Sequence, residues 1–492
     1  LAISREVYPQ LVGLKQEIDT KKVVERFADL FCEDTLAIIV KERETEQDPL
    51  RRRRLNMMYF SIHAGIMERK VVHLSDRAEN FASKASVRFE GKRVPYMNVP
   101  NVMMNLPSHA KRSKLTAATV PIRRKLLAMT EEQMKRIDAM IEEKGFDNYF
   151  VYCQTAKDTD LLALADQLRE VLVDTKNEYR KSLYARLKRI NVSPKVARQH
   201  DVSFMMRGHD FDSYFPKEKL VPTLKSTLAG MGFHIDRQKN IRLDVSDRPN
   251  KRARAFCYPI KVPSDVRLVV KPSGGPGDYD TILHESGHAE HYANMPAGLR
   301  YEFQYLGDNA ITESFAYLFE YLIHDEHWLS WAVGLEGKQA DELVRFELFQ
   351  KLMFIRRYAA KLIYEIKLYT KDLRVLDDRF EPTQKMYASR AQMYQRILGE
   401  ATMVKYDQVN YLLDLDSGFY AADYCLAWLL EAQHRANLRK RFGAMWWTNP
   451  KTGVFLRRMY ATGTTYTPQE LVRRFYKQPI SITYLEKDFV SI

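Results

Sequence analysis

The chain has few of the residues that would staple a small fold together. Its four cysteines (Cys32, Cys153, Cys257 and Cys425) lie far apart, with no C-x-x-C pair among them. That excludes a disulfide framework and a cysteine-based metal site, and it points to free thiols in a reducing, cytoplasmic setting. Glycine and proline are also scarce, 20 and 19 residues of 492, which argues against a loop-dominated or fibrous chain. No run of about 18 apolar residues occurs, so no membrane span is expected. Leu1 to Gln16 lack a charged start followed by an apolar run, so no signal peptide is expected there; the chain does not begin with Met, which leaves a trimmed leader open.

Negative charge is the minority sign. Lys and Arg number 77 against 63 Asp and Glu, a net charge of +14, and Arg51-Arg52-Arg53-Arg54 concentrates part of the excess. A basic face could bind a polyanion or attract acidic peptides. No zinc finger, helix-turn-helix or aromatic ribonucleoprotein pattern accompanies the charge, so nucleic acid is not the expected partner.

What is present is helical periodicity. Hydrophobic residues make up 45% of the chain, arranged in long charged-amphipathic runs. Helices are expected over 12–41, 55–84, 121–144, 161–190, 341–369 and 423–442, with a surface connection over 42–54. Pro121 suits a first helical position, and Gly443 a stop. Strand patterns are confined to Ile241–Val245 and Val266–Lys271. The expected fold class is mainly α, with a small β-sheet beside one functional helix. The expected division is an N-terminal helical half, 1–200, and a C-terminal half, 201–492. Length alone allows two or three domains, and the oligomeric state is not readable.

Histidine is rare, 12 residues, yet His284-Glu285-Ser286-Gly287-His288 places two of them in the pattern H-E-x-x-H. Residues four apart share a helix face, so two imidazoles can hold one zinc ion. Glu285, beside the first of them, can act as general base toward a water on that ion. Asp278, after Gly274-Gly275-Pro276-Gly277, is a candidate N-cap. Gly287 would let a second backbone pass close by. A catalytic zinc needs a third protein ligand. His291 lies about two turns from His284 and is expected to support the site rather than to ligate. Glu313, in the first turns of the helix expected over 310–320, is the better candidate, 25 residues past His288. Glu320 is expected to be solvated.

The segments H-E-S-G-H-A-E-H and I-T-E-S-F-A-Y-L-F-E resemble the zinc peptidases of the thimet oligopeptidase and oligoendopeptidase F family. Those enzymes carry H-E-x-G-H-x-x-H and a glutamate ligand about 25 residues on. Leu243-Asp244 through Arg248, Lys251 and Ala255-Phe256-Cys257 is similar to another segment of that family, with Asn250 where the family has Gly. The resemblance covers roughly residues 200–435. Asp265-Val266-Arg267-Leu268 is similar to a segment of the Taq-type carboxypeptidases. The resemblance implies zinc, one per chain, on His284, His288 and Glu313, with Glu285 as base and short peptides as substrates. It also implies a deep channel between two helical halves, and a tyrosine-rich segment at the site. Gly418-Phe419-Tyr420-Ala421-Ala422-Asp423-Tyr424 matches that segment in part, so Tyr420 and Tyr424 are the candidate oxyanion donors. The family's last two tyrosines fall on Cys425 and Ala427. Gly274 and Gly275 would allow a substrate backbone to approach closely, near an edge strand able to pair with a peptide. Two alternatives stand beside the oligoendopeptidase reading. One is a carboxypeptidase, which needs a basic residue for the substrate's terminal carboxylate that the sequence does not single out; Arg356-Arg357 could hold a substrate carboxylate, although a solvated basic stripe is the expected role of that pair. The other is a zinc-stabilised helical scaffold with a polyanion-binding face.

Overall fold

The amphipathic runs fold as helices. The computed structural model describes residues 2–15, 18–248, 251–252 and 255–489; Pro249 and Asn250 lie outside the described residues. The longest helices are Pro49–Lys84, His109–Glu143, Gly337–Tyr369 and Tyr420–Phe442. Strands form three small sheets, so the described chain is mainly α. Gly443 follows the helix Tyr420–Phe442 at φ 90°, the left-handed stop its position predicts.

Boundaries depart from expectation where punctuation misleads. The run 12–41 is not one helix: the chain forms Ala2–Leu11, Thr20–Glu25 and Glu33–Thr45. The connection expected over 42–54 shrinks to 46–48, because Pro49 opens a helix, where its missing N–H costs nothing. Arg51 to Arg54 are therefore helical. Arg53 donates to both carboxylate oxygens of Glu470 (2.8 and 2.9 Å), and Arg54 pairs with Glu302 at 2.8 Å. Arg51 also lies 3.8 Å from Glu46, so three of the four are engaged with acidic residues and the run does not form a free basic patch. Pro121 lies inside His109–Glu143. Residues 161–190 make two helices that part at Thr175, whose hydroxyl bonds back to the Val171 carbonyl.

The chain divides into two compact units that are not contiguous. The first comprises Leu1–Arg69, Gly208–Leu348 and Asp423–Ser491; the second comprises Lys70–Arg207 and Phe349–Ala422. The chain passes between the units at four points, after Arg69, Arg207, Leu348 and Ala422, where one division near residue 200 was expected. Three of the four fall inside the helices Pro49–Lys84, Gly337–Tyr369 and Tyr420–Phe442. A continuous helix has no loop, Pro or Gly cluster to betray a boundary, so those three were not readable.

Within the second unit, β1 (Ser86–Phe89) and β2 (Lys92–Pro95) form a hairpin around Glu90 and Gly91, both at positive φ. Strands β6 (Arg374–Leu376) and β7 (Pro382–Met386) form another. The first unit holds a three-stranded sheet of β3 (Ile241–Asp244), β4 (Phe256–Lys261) and β5 (Asp265–Val269), in the order β3-β5-β4. Strand β3 runs parallel to β5 with Leu243 opposite Leu268, and β4 is antiparallel with Cys257 opposite Leu268. Pro259 hid β4 from the sequence reading; it is tolerated because β4 is an edge.

The segment after β3 is pinned to this sheet. Lys251 Nζ donates to the carbonyls of Asp244, Ser246 and Val270 and to the Asp244 carboxylate, at 2.8 to 3.0 Å. Arg248 also pairs with Asp244. Burial would raise the Asp244 pKa, but hydrogen bonds from Ser246, Arg248 and Lys251 outweigh it and hold the carboxyl well below its usual range. The D-x-x-x-R-x-x-K pattern is therefore a local clamp.

Candidate metal centre

A histidine-bearing helix, Pro276–Ala293, starts abruptly. Gly274 and Gly275 sit at φ 91° and 92°, a conformation open to glycine, and Pro276 takes the first turn. The Gly274 N–H donates to Asp278 Oδ2 (2.7 Å) and the Gly275 N–H to the Phe215 carbonyl (2.8 Å). These donors are engaged in closing the turn. Gly275 is the N-cap. Asp278 sits three residues further on, in the first turn, where its carboxylate ties down Ser273 and Gly274.

The partner helix, Asn309–Glu320, begins at Asp308, whose carboxylate accepts the Ala310 N–H at 2.8 Å. The two helices cross at Gly287. A Cβ there would stand 2.4 Å from the Phe315 carbonyl oxygen and 2.6 Å from Ala316 Cα. Glycine is thus required for the close approach. Ile282, Leu283, Ile311, Phe315 and Leu318 are buried around it, each contributing about 1.5–3 kcal/mol relative to exposure.

This crossing brings three ligand atoms together. His284 Nε2 lies 3.4 Å and His288 Nε2 3.5 Å from Glu313 Oε2. All three donors fall within 4.8 Å of one another. The outer nitrogens are held separately: His284 Nδ1 meets Glu320 Oε2 at 2.6 Å, and His288 Nδ1 meets Thr312 Oγ1 at 2.9 Å. With each Nδ1 donating outward, each Nε2 directs its lone pair inward.

The electrostatics agree. Burial opposes a charge on His284, but Glu313 and Glu320 outweigh it and raise its pKa well above the usual imidazole value. Burial also pushes Glu313 up; the two imidazoles overcome this and hold its carboxyl well below the usual range. The cluster favours positive charge between its donors, which a divalent cation supplies with both imidazoles neutral. Two imidazole nitrogens, each supported from behind, and one carboxylate oxygen suit zinc.

Glu285 is buried beside the cluster, with Oε2 accepting the Cys257 N–H of β4 at 2.8 Å. The sheet edge that approaches the histidine helix is thus β4, a strand the sequence did not reveal. Tyr317 packs against the His284 ring at 5.0 Å between centroids, and Tyr424 against Tyr317 at 6.3 Å. Tyr420, one turn before Tyr424, falls in the second unit.

Three expectations need correction. Glu320 is not solvated; it orients His284. It stands seven residues after Glu313, on the same helix face, and that spacing was the available signal. His291 gives the cluster no support. Its ring packs against Phe315, Tyr292 and Tyr460, neither nitrogen has a hydrogen-bond partner among the described residues, and burial lowers its pKa to about 3. Two turns of helix carry it about 10 Å along the axis, past the donors. Arg356 and Arg357 form no solvated stripe. Arg356 donates to the carbonyls of Ala401 and Leu172 and to Thr175, and Arg357 pairs with Asp414. Thr312 and Tyr317 escaped notice because their roles depend on helix packing.

The fold resembles a solved one. The chain aligns with the crystal structure described as a "putative oligoendopeptidase F from Bacillus anthracis str. Ames", with a TM-score of 0.61 and 16% identity over 95% of this chain and 80% of that one. At that identity the likeness is one of fold. No family model matches the sequence, and no curated protein matches it. No helix among the described residues is long and apolar enough to cross a membrane. All four cysteines are free.

Proposed function

We propose that the chain is a zinc-dependent peptidase that hydrolyses internal bonds of short, unfolded peptides in the cytoplasm. The observation that carries this reading is the convergence of His284 Nε2, His288 Nε2 and Glu313 Oε2, with both outer nitrogens anchored and Glu285 alongside. A zinc ion held there would act as a Lewis acid and lower the pKa of a water molecule.

The residues divide the remaining work. Glu285 takes the proton from the attacking water and passes it to the leaving amine. Glu320 and Thr312 fix the imidazole tautomers. A phenol of Tyr424 or Tyr420 donates to the oxyanion of the tetrahedral intermediate. Strand β4, an edge, offers backbone groups for pairing with an extended peptide. The fold shared with an oligoendopeptidase F structure supports the peptide as substrate. The carboxypeptidase alternative requires a cation for the terminal carboxylate, and Arg356 and Arg357 are engaged elsewhere.

The test is digestion of a mixed library of short peptides, read by mass spectrometry, with wild type beside Glu285→Gln and zinc measured on both. Internal cuts by the wild type, reduced by about 10²–10⁴-fold in a variant that still holds zinc, are expected. Loss of single C-terminal residues would move the assignment to a carboxypeptidase. A zinc-loaded wild type that cuts nothing would favour the scaffold reading.

A further inference from the structure

The second unit contains a cavity of about 340 Å³, within the lower range of small-molecule pockets, roughly 300–1,000 Å³. Its two sides differ in chemistry. One is apolar, built from Met97, Val99, Pro100 and Met103. The other carries Arg123, Arg198 and Lys405 with a single carboxylate, Asp407.

That carboxylate is shared. Both terminal nitrogens of Arg123 contact Asp407 Oδ2 at 3.0 Å, and Arg198 reaches Oδ1 at 3.4 Å. Arg123 also donates to Asn410 and to the Thr116 carbonyl, yet its buried Nε has no partner among the described residues. Lys405 and Arg198 are held side by side by a parallel backbone bridge, with the Gln199 N–H on the Lys405 carbonyl and the Lys405 N–H on that of Ala197. His200 adds no negative charge: its nitrogens lie against Ser113 Oγ (3.2 Å) and Thr116 Oγ1 (3.0 Å). Three cations therefore face one carboxylate, and one of them is a buried guanidinium with an unused donor. Such a wall is completed by an oxyanion, to which guanidinium and ammonium groups give charge-assisted hydrogen bonds. The apolar side would pack the rest of the molecule.

We propose that this cavity binds a small organic oxyanion, a carboxylate or phosphate monoester on a compact apolar body. The site is independent of the metal centre, and its occupancy is readable without turnover, so failure of the peptidase reading would leave it standing.

Titration calorimetry on the full chain at low salt tests it, with benzoate, phenyl phosphate, inorganic phosphate and benzyl alcohol as probes. One saturable site is expected for benzoate or phenyl phosphate, whichever head fits, with weaker binding of inorganic phosphate and none of benzyl alcohol. Added salt should weaken it. The double variant Arg198→Ala/Lys405→Ala changes two exposed side chains, so its melting curve should match wild type while affinity falls about tenfold or more. Met97→Asp, which sets a carboxylate in the apolar wall, should also reduce binding. Absence of saturable binding of either organic anion at millimolar concentration overturns the proposal. So does equal affinity in the double variant, or inorganic phosphate binding as tightly as phenyl phosphate.

Discussion

Two clusters in this molecule are built from the same parts, two histidines and a carboxylate, and they do different work. In the first unit His284, His288 and Glu313 point three donors at a common point. In the second unit His109, His200 and Asp201 come equally close, but the centre is already filled. Arg112, fully buried, donates through Nε to Asp201 Oδ1 at 3.0 Å, and its Nη2 forms an ion pair with the same oxygen at 2.9 Å. Asp201 Oδ2 accepts the Arg198 N–H that opens the next helix, and His109 Nδ1 contacts Oδ1 at 2.8 Å. Both His200 nitrogens are occupied by hydroxyls. A guanidinium stands where a cation would otherwise be wanted. Ligand-type residues in proximity are not enough for a metal site; the cluster proposed to hold zinc differs in having donors left open, with the far sides of its imidazoles anchored.

The largest test of this contrast is metal content. His288→Ala should lose bound zinc, while Asp201→Asn keeps about one ion per chain, measured by elemental analysis after dialysis. Zinc loss in Asp201→Asn would break the comparison. Next is stability: Arg112→Ala strands a buried carboxylate and should cost about 3–5 kcal/mol in urea unfolding, with zinc per folded chain unchanged. Glu320→Gln should retain the fold but weaken zinc affinity about 10–100-fold in chelator competition. An unchanged affinity would return Glu320 to the role of a solvated surface residue. Smallest is Gly287→Ala, which drives a methyl into the Phe315 backbone and should cost about 1–3 kcal/mol, read from the same urea curves.

Much of the metal centre was legible because it is local. H-E-x-x-H on one helix fixes the two imidazoles by spacing alone, and Glu313 lies on the next long helix. Gly287 announced a close helix crossing, and the structure has one. His291 looked equivalent to its neighbours because composition does not reveal the Phe315 and Tyr460 rings that enclose it. Strand β4 was concealed by Pro259, a residue that argues against strands except at edges. Arg356 and Arg357 resembled a solvated stripe until their partners, distant in sequence, were in place.

The sequence by itself determined the helical class and the placement of His284, His288 and Glu285 on one helix. These depend on periods of a few residues, which short-range backbone geometry enforces. The tertiary structure decided the rest: the orientation of His284 by Glu320, the anchoring of Glu285 on β4, the filling of the second cluster by Arg112, and the interleaving of the two units. The first three are set by contacts between segments far apart in the chain, whose pairing follows from the packing of buried faces and not from any local pattern; the last is a matter of which segments of the chain each unit draws on.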